Sequence, residues 1–287
     1  LLYFNLFERA MSMLPVQNKG CYLQENQGWE FGFISAWRSA GHGKILMGFP
    51  HSTVRYWDLR YFFDPRGYTH TGKNDLPIPD YIGVNGSVMK NSYINGDYPQ
   101  ERLIEVEALR YLHLCNSPTS QIKNNKNRLQ ARTLLVVGDY LKENTGKQLA
   151  LLMAAFKDID QSIRYIIKPH PVCPINMQDL PGLNFEISTQ PIGELLLISD
   201  VVYSSSTTSA AVDAYCAGKS VITILDGRIL NLSPLRGVGG VYFVSSAKEL
   251  AVAINGAEVN ELGQREDYFY LDMELTRWKK WLSDEKY

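Results

Sequence analysis

The sequence predicts an α/β protein of two doubly wound domains that face one another across a cleft. Three observations carry this expectation. Short apolar strands alternate with amphipathic helices along most of the 287 residues. Several strands end in presented polar side chains: His51 after 44–49, Lys168 and His170 after 164–168, and a run of serines after 201–203. Between two such series lies a polar stretch, 116–131, with Ser117-Pro118, Asn124-Asn125 and no apolar period.

That stretch is read as a linker joining a first domain, 1–115, to a second, 132–265. Residues 266–287 carry a final long helix, expected over 266–282 and expected to pack back toward the first domain through Trp278 or Trp281. The chain opens Leu1-Leu2-Tyr3-Phe4 with no initiator Met. It is therefore read as a piece of a longer protein, with a first domain incomplete on its N-terminal side.

In order, the first domain has a helix near 4–14, a short strand at Cys21–Leu23 and a helix from Trp29 to Ala40, closed by Gly41 and Gly43. A buried strand, 44–49, then presents Pro50-His51-Ser52. The segment 54–68 is dense in aromatics and arginines, among them Arg55, Trp57, Arg60 and Tyr61, without a clean period. Such clusters stack on sugars or rest on a membrane surface, and they also serve as packing between domains. Strands at 80–84 and 102–106 flank a helix near 87–94.

The second domain opens with the strand Thr133–Val137, ending in Gly138-Asp139-Tyr140. A helix follows over 144–157, with Leu149, Leu152, Met153 and Phe156 on one face. Further strands are expected at 183–187, 220–225 and 241–244, and further helices at 192–198 and 247–254.

Composition excludes several classes. Apolar residues make up 45% and charged residues 21%, an ordinary globular balance. The net charge of −1 offers no basic footprint for nucleic acid. Cys21, Cys115, Cys173 and Cys216 are far apart, with no zinc-like spacing, and read as reduced thiols of a cytoplasmic protein. No apolar run reaches transmembrane length, and nothing resembles a signal peptide. No D-x-D motif stands at a strand end, so neither an essential metal nor a cofactor is expected.

Chemistry concentrates at two strand ends of the second domain. In R-Y-I-I-K-P-H-P, each proline holds the residue before it extended, so Lys168 and His170 are presented rigidly ahead of Pro169 and Pro171. In V-V-Y-S-S-S-T-T-S-A-A-V-D-A, Ser204, Ser205 and Ser206 close a strand, and Thr207 and Thr208 are expected to open the helix that follows. Hydroxyls and free N–H groups at such a point favour an anion, and in a parallel sheet both ends share one edge. A plain cap is the alternative role for the hydroxyls.

These residues resemble the GT-B superfamily of glycosyltransferases, two Rossmann-like domains with the active site between them. The likeness covers nearly the whole chain. It is strongest where S-S-S-T-T-S-A-A-V-D-A-Y-C-A-G-K-S-V-I is similar to the helix motif that binds the nucleotide donor. Many nucleotide-sugar enzymes carry Glu where this chain has Asp213, and Pro where it has Ser220. By the resemblance, Asp213 meets a ribose hydroxyl, and Gly138 lines the donor site. The pair His170-Pro171 with Ser204-Ser205-Ser206-Thr207 is similar to the HP and SS/T motifs of sialyltransferases and Kdo transferases, which use CMP-sugars. A similar pair marks teichoic-acid polymerases that use CDP-glycerol.

As a whole the chain resembles bacterial surface-carbohydrate (lipopolysaccharide or capsule) biosynthesis proteins. The resemblance implies transfer from a CMP- or CDP-linked donor to a glycan or lipid-linked acceptor, in the cytoplasm and at the inner face of the membrane. Catalysis then needs a base for the acceptor hydroxyl, for which Glu25 and His51 are the candidates. His170 and Lys168 stabilise the departing phosphate, and Arg55 and Arg60 lie on the acceptor side. A polyol-phosphate transferase, a UDP-sugar epimerase and a non-catalytic scaffold are the competing readings.

Overall fold

The structure, a computed structural model, describes residues 2–43, 45–55, 58, 64, 76–116, 132–176, 180–227, 230–257 and 268–283. It divides into two compact units, Leu1–Leu112 with Glu266–Tyr287, and His113–Arg265. The expected linker lies outside the described residues beyond Asn116.

The first unit is a parallel sheet in the order β1 (Lys19–Leu23), β2 (Ile45–Phe49), β3 (Tyr81–Val84), β4 (Leu103–Glu105). Alternation along β2 sends Leu46 to one face and Met47 and Phe49 to the other. The Leu46 face packs with Ile34 and Trp37 of helix α2 (Gly28–Ser39). Helix α1 (Leu2–Met13) lies over α2, with Phe7 against Trp29 and Phe33, yet buries none of its own residues. Helix α3 (Ser87–Asn95) adds Met89 and Tyr93 to a cluster with Ile82 and Val84.

Residues 268–283 also belong to this unit. Trp281 is 2% exposed and packs with Met47, Phe49, Ile104 and Val106. Its helix, α8 (Thr276–Ser283), is shorter than the expected 266–282. Asp272 fixes the approach, accepting from Glu274 N–H at 2.8 Å and from the Thr276 hydroxyl at 2.6 Å. The buried Glu107 carboxylate then accepts the Arg277 and Trp278 N–H groups at 2.8 and 3.0 Å, satisfying free donors of the first turn.

The second unit is a six-stranded parallel sheet. Its strands are β5 (Thr133–Val137), β6 (Arg164–Lys168), β7 (Phe185–Ile187), β8 (Val201–Ser204), β9 (Ser220–Ile224) and β10 (Val241–Val244), in the order β10-β9-β8-β5-β6-β7. The chain starts at β5, moves outward through β6 and β7, and returns to the other side of β5 with β8. That reversal is the switch point of a doubly wound sheet.

Both faces are covered, which is why β5 and β8 are near-continuous apolar runs. Leu134, Val136, Tyr165, Ile167, Val201 and Tyr203 face helices α4 (Lys142–Ala155) and α7 (Ala247–Asn255). Helices α5 (Ile192–Ile198) and α6 (Ala210–Cys216) also pack on the sheet, against β5 and against β8 and β9 respectively. Among the described residues, no helix is long and apolar enough to cross a membrane. Cys173 is buried and Cys216 half-buried, whereas Cys21 and Cys115 are exposed thiols.

Candidate functional site

The second unit gathers its polar strand ends at the switch point. Val137 pairs with Lys168 on one side and with Ser204 on the other. The basic end, the Gly138 turn and the hydroxyl run therefore leave the sheet side by side. Gly138 N–H donates to Lys168 C=O at 3.0 Å, and a Cβ on Gly138 would stand 3.4 Å from the His170 nitrogen, so the backbones run in close contact.

His170 is fixed by its own turn. Cys173 N–H donates to its carbonyl at 2.9 Å, and Val172 N–H to its Nδ1 at 3.3 Å, leaving Nε2 for another partner. The Tyr140 ring stands edge-on at 6.3 Å. Lys168 Nζ donates to Gln190 C=O at 2.6 Å, and Pro171 lies exposed in the turn.

The hydroxyl run differs from expectation. Helix α6 begins at Ala210, so Thr207 and Thr208 sit in a turn ahead of it, and the Ser209 side chain makes no cap. Thr208 accepts Ala210 N–H at 3.3 Å. Ser205 and Thr207 instead donate to Asp139, a residue to which sequence reasoning gave no role. Asp139 Oδ2 accepts the Ser205 hydroxyl, the Thr207 hydroxyl at 2.8 Å and the Asn144 amide at 3.3 Å; Oδ1 accepts Leu141 N–H at 2.9 Å. Burial pushes this carboxyl up, but the four donors outweigh it and hold it below the ordinary carboxylate range. A hydroxyl has one proton, so Ser205 and Thr207 cannot also donate to a phosphate while bonded this way. The visible signal was an acid two residues past the end of a buried strand.

Ser204 is fully buried, 3.4 Å from the Thr223 hydroxyl; Ser206 is buried beside it. Asp213 lies in α6 and is 9% exposed. Behind the switch point Gln148 donates from Nε2 to Val137 C=O and Tyr203 C=O, both at 3.1 Å, tying β5 to β8.

The first unit has its own pair. Glu25 follows β1 and His51 follows β2, and their side chains approach to 3.9 Å between Oε1 and Nε2. Sequence reasoning offered them as alternatives; the parallel pairing of Leu23 with Phe49 makes them neighbours. Glu30 shapes the turn, accepting both Glu25 and Gln27 N–H at 2.8 Å, with Asn26 at φ 53 between them. Burial pushes the Glu30 carboxyl up. Asn85, at the end of β3, donates to Pro50 C=O at 3.4 Å and so steadies the next strand end. Buried His51 Nδ1 meets no hydrogen-bond partner among the described residues. Arg55 is half-buried, and Arg60 lies outside the described residues. Among the described residues no three His, Cys, Asp or Glu side chains form a metal-holding group.

No protein-family model matches the chain, and no curated protein matches it. Solved structures do. A UDP-GlcNAc 2-epimerase from Methanocaldococcus jannaschii, in complex with UDP-GlcNAc and UDP, is 13% identical, with a TM-score of 0.58 over 98% of this chain and 79% of that one. A UDP-GlcNAc 2-epimerase from Neisseria meningitidis, bound to UDP-GlcNAc, is 12% identical, with a TM-score of 0.56 over 93% and 78%. Anabaena HepE, in complex with UDP-glucose, is 14% identical, with a TM-score of 0.50 over 89% and 71%. At these identities the likeness is one of fold: two parallel α/β units, the architecture expected from the strand and helix pattern, of the GT-B type that the family resemblance implies.

Proposed function

We propose that the chain transfers a sugar from a nucleotide-activated donor, CMP-linked by preference, to a glycan or lipid-linked acceptor in bacterial surface-polysaccharide synthesis. The observation that carries this reading is the row of strand ends at the switch point, where Lys168, Gly138 and the Ser204–Thr208 run emerge together. In doubly wound sheets that crevice takes the nucleotide. His170 Nε2 and the remaining Lys168 protons are the donors for the departing phosphate, since the Ser205 and Thr207 protons serve Asp139. As the anomeric C–O bond to phosphate breaks, the acceptor oxygen forms the new bond and its proton passes to the Glu25–His51 pair. Arg55 and Arg60 serve the acceptor side, and Asp213 the ribose.

A thermal-shift panel of CMP, CDP, UDP and GDP tests the donor. Saturable stabilisation by CMP supports the reading, and by CDP a polyol-phosphate transferase. His170→Ala should weaken nucleotide binding about tenfold, the loss of one hydrogen bond to a charged group; unchanged affinity would count against the phosphate role. No stabilisation by any nucleotide would favour a scaffold.

A second reading, a UDP-sugar epimerase, draws support from the Methanocaldococcus and Neisseria proteins. The Glu25–His51 pair suits proton transfer in that chemistry too. A UDP preference in the panel, followed by analysis of the products from UDP-GlcNAc alone, separates the two.

A further inference from the structure

The phosphate site proposed above has an anion built into it. Asp139 follows the central strand β5, between the β6 end that carries Lys168 and His170 and the β8 end that carries the hydroxyls. It is 2% exposed, and the donors that hold it are neutral: two hydroxyls, an amide and a backbone N–H. Neutral donors spread its charge without cancelling it. Its fixed negative charge therefore shares one row with the Lys168 ammonium and the His170 donor meant for the phosphate.

We propose that Asp139 sets the charge selectivity of this site, admitting the phosphate of a nucleotide-activated sugar and disfavouring the free nucleotide left after transfer. The inference rests on the nucleotide-sugar reading. The chemistry at the phosphate is general to CMP and UDP donors: esterification by the sugar removes one ionisable oxygen, so the phosphate of the free nucleotide carries one negative charge more at neutral pH. The UDP pair, whose sugar is uncharged, isolates that difference. One unit charge at about 7–8 Å, one and a half strand spacings, through an effective dielectric of about 20–40, changes affinity roughly tenfold. The same charge that tolerates the donor thus hastens departure of the freed nucleotide.

Calorimetric titration of the parent and of Asp139→Asn with CMP and CMP-sialic acid, and with UDP and UDP-N-acetylglucosamine, tests this. In D139N the free nucleotide should tighten about tenfold relative to its sugar conjugate at pH 8. A structural role predicts equal weakening of both, and that result, or an unchanged ratio, overturns the inference. The parent supplies a second test that needs no variant. Its preference for the conjugate should shrink at pH 5, where the terminal phosphate, with a pKa of about 6, takes up a proton. A parent that binds the free nucleotide more tightly than the conjugate at pH 8 refutes the inference while leaving the nucleotide-sugar reading intact. If no nucleotide or conjugate binds, that reading fails and takes this inference with it.

Discussion

Gln148 is the side chain on which the switch point closes, and replacing it by glutamate tests the account most directly. It is fully buried, 0% exposed, and its amide donates to carbonyls of both β5 and β8. The Tyr203 hydroxyl donates in turn to the backbone carbonyl of Gln148 at 3.2 Å. Gln148→Glu keeps the shape but sets a carboxylate against two carbonyl oxygens. The cheapest outcome is for the acid to keep its proton, so its folded pKa is raised above the ordinary value of about 4.3. For an acid with a raised folded pKa the penalty is absent below the unfolded value and grows as pH rises, by about 1.4 kcal/mol per unit. The stability gap between parent and Q148E should therefore widen by roughly 2.7 kcal/mol from pH 5 to pH 7. Urea unfolding of the two proteins at both pH values measures it. A gap that does not change with pH would mean that the side chain reaches water, and the clamp at β5 and β8 would be wrong.

Other expectations follow from single side chains. The lowered Asp139 pKa contributes stability that is complete above the unfolded value of about 3.9 and lost as pH falls through the folded value. The melting difference between parent and D139N should accordingly close below about pH 4, and a constant difference would contradict the hydrogen bonds assigned to it. Glu30→Ala removes the acceptor of the Glu25 and Gln27 N–H groups. It should cost about 1–2 kcal/mol, as lost caps do, and speed amide exchange at both residues; unchanged exchange there speaks against the turn. Trp281→Ala empties a buried site between β2 and β4. A loss of about 3–5 kcal/mol is expected in urea unfolding, and a loss below about 1 kcal/mol would show that α8 does not complete the first unit's core.

Much of the fold was legible because its signals are local. β-branched runs such as T-L-L-V-V and R-Y-I-I-K are strands by composition, and the structure has them at Thr133–Val137 and Arg164–Lys168 as expected. Pro169 and Pro171 fix their neighbours through φ alone, so Lys168 and His170 could be placed at a strand end without knowing any partner. The hydroxyl run marks the end of β8 by another local effect, the bonds that Ser and Thr side chains offer to nearby backbone in place of the ladder.

Sheet order and hydrogen-bond partners are not local, and there the tertiary structure decided. Nothing near Asp139 in the chain announces that Ser205, 66 positions later, will donate to it. Without that partner the serines and threonines read as a cap or a phosphate clasp. Gln148 on an otherwise apolar helix face has meaning only when β5 and β8 meet behind it. Glu25 and His51 stood as rivals until parallel pairing of β1 with β2 set them side by side. Glu107 caps a helix 170 residues away. Residues that act through local geometry can be read from the sequence; a buried polar group takes its role from whichever partner the folded chain brings to it.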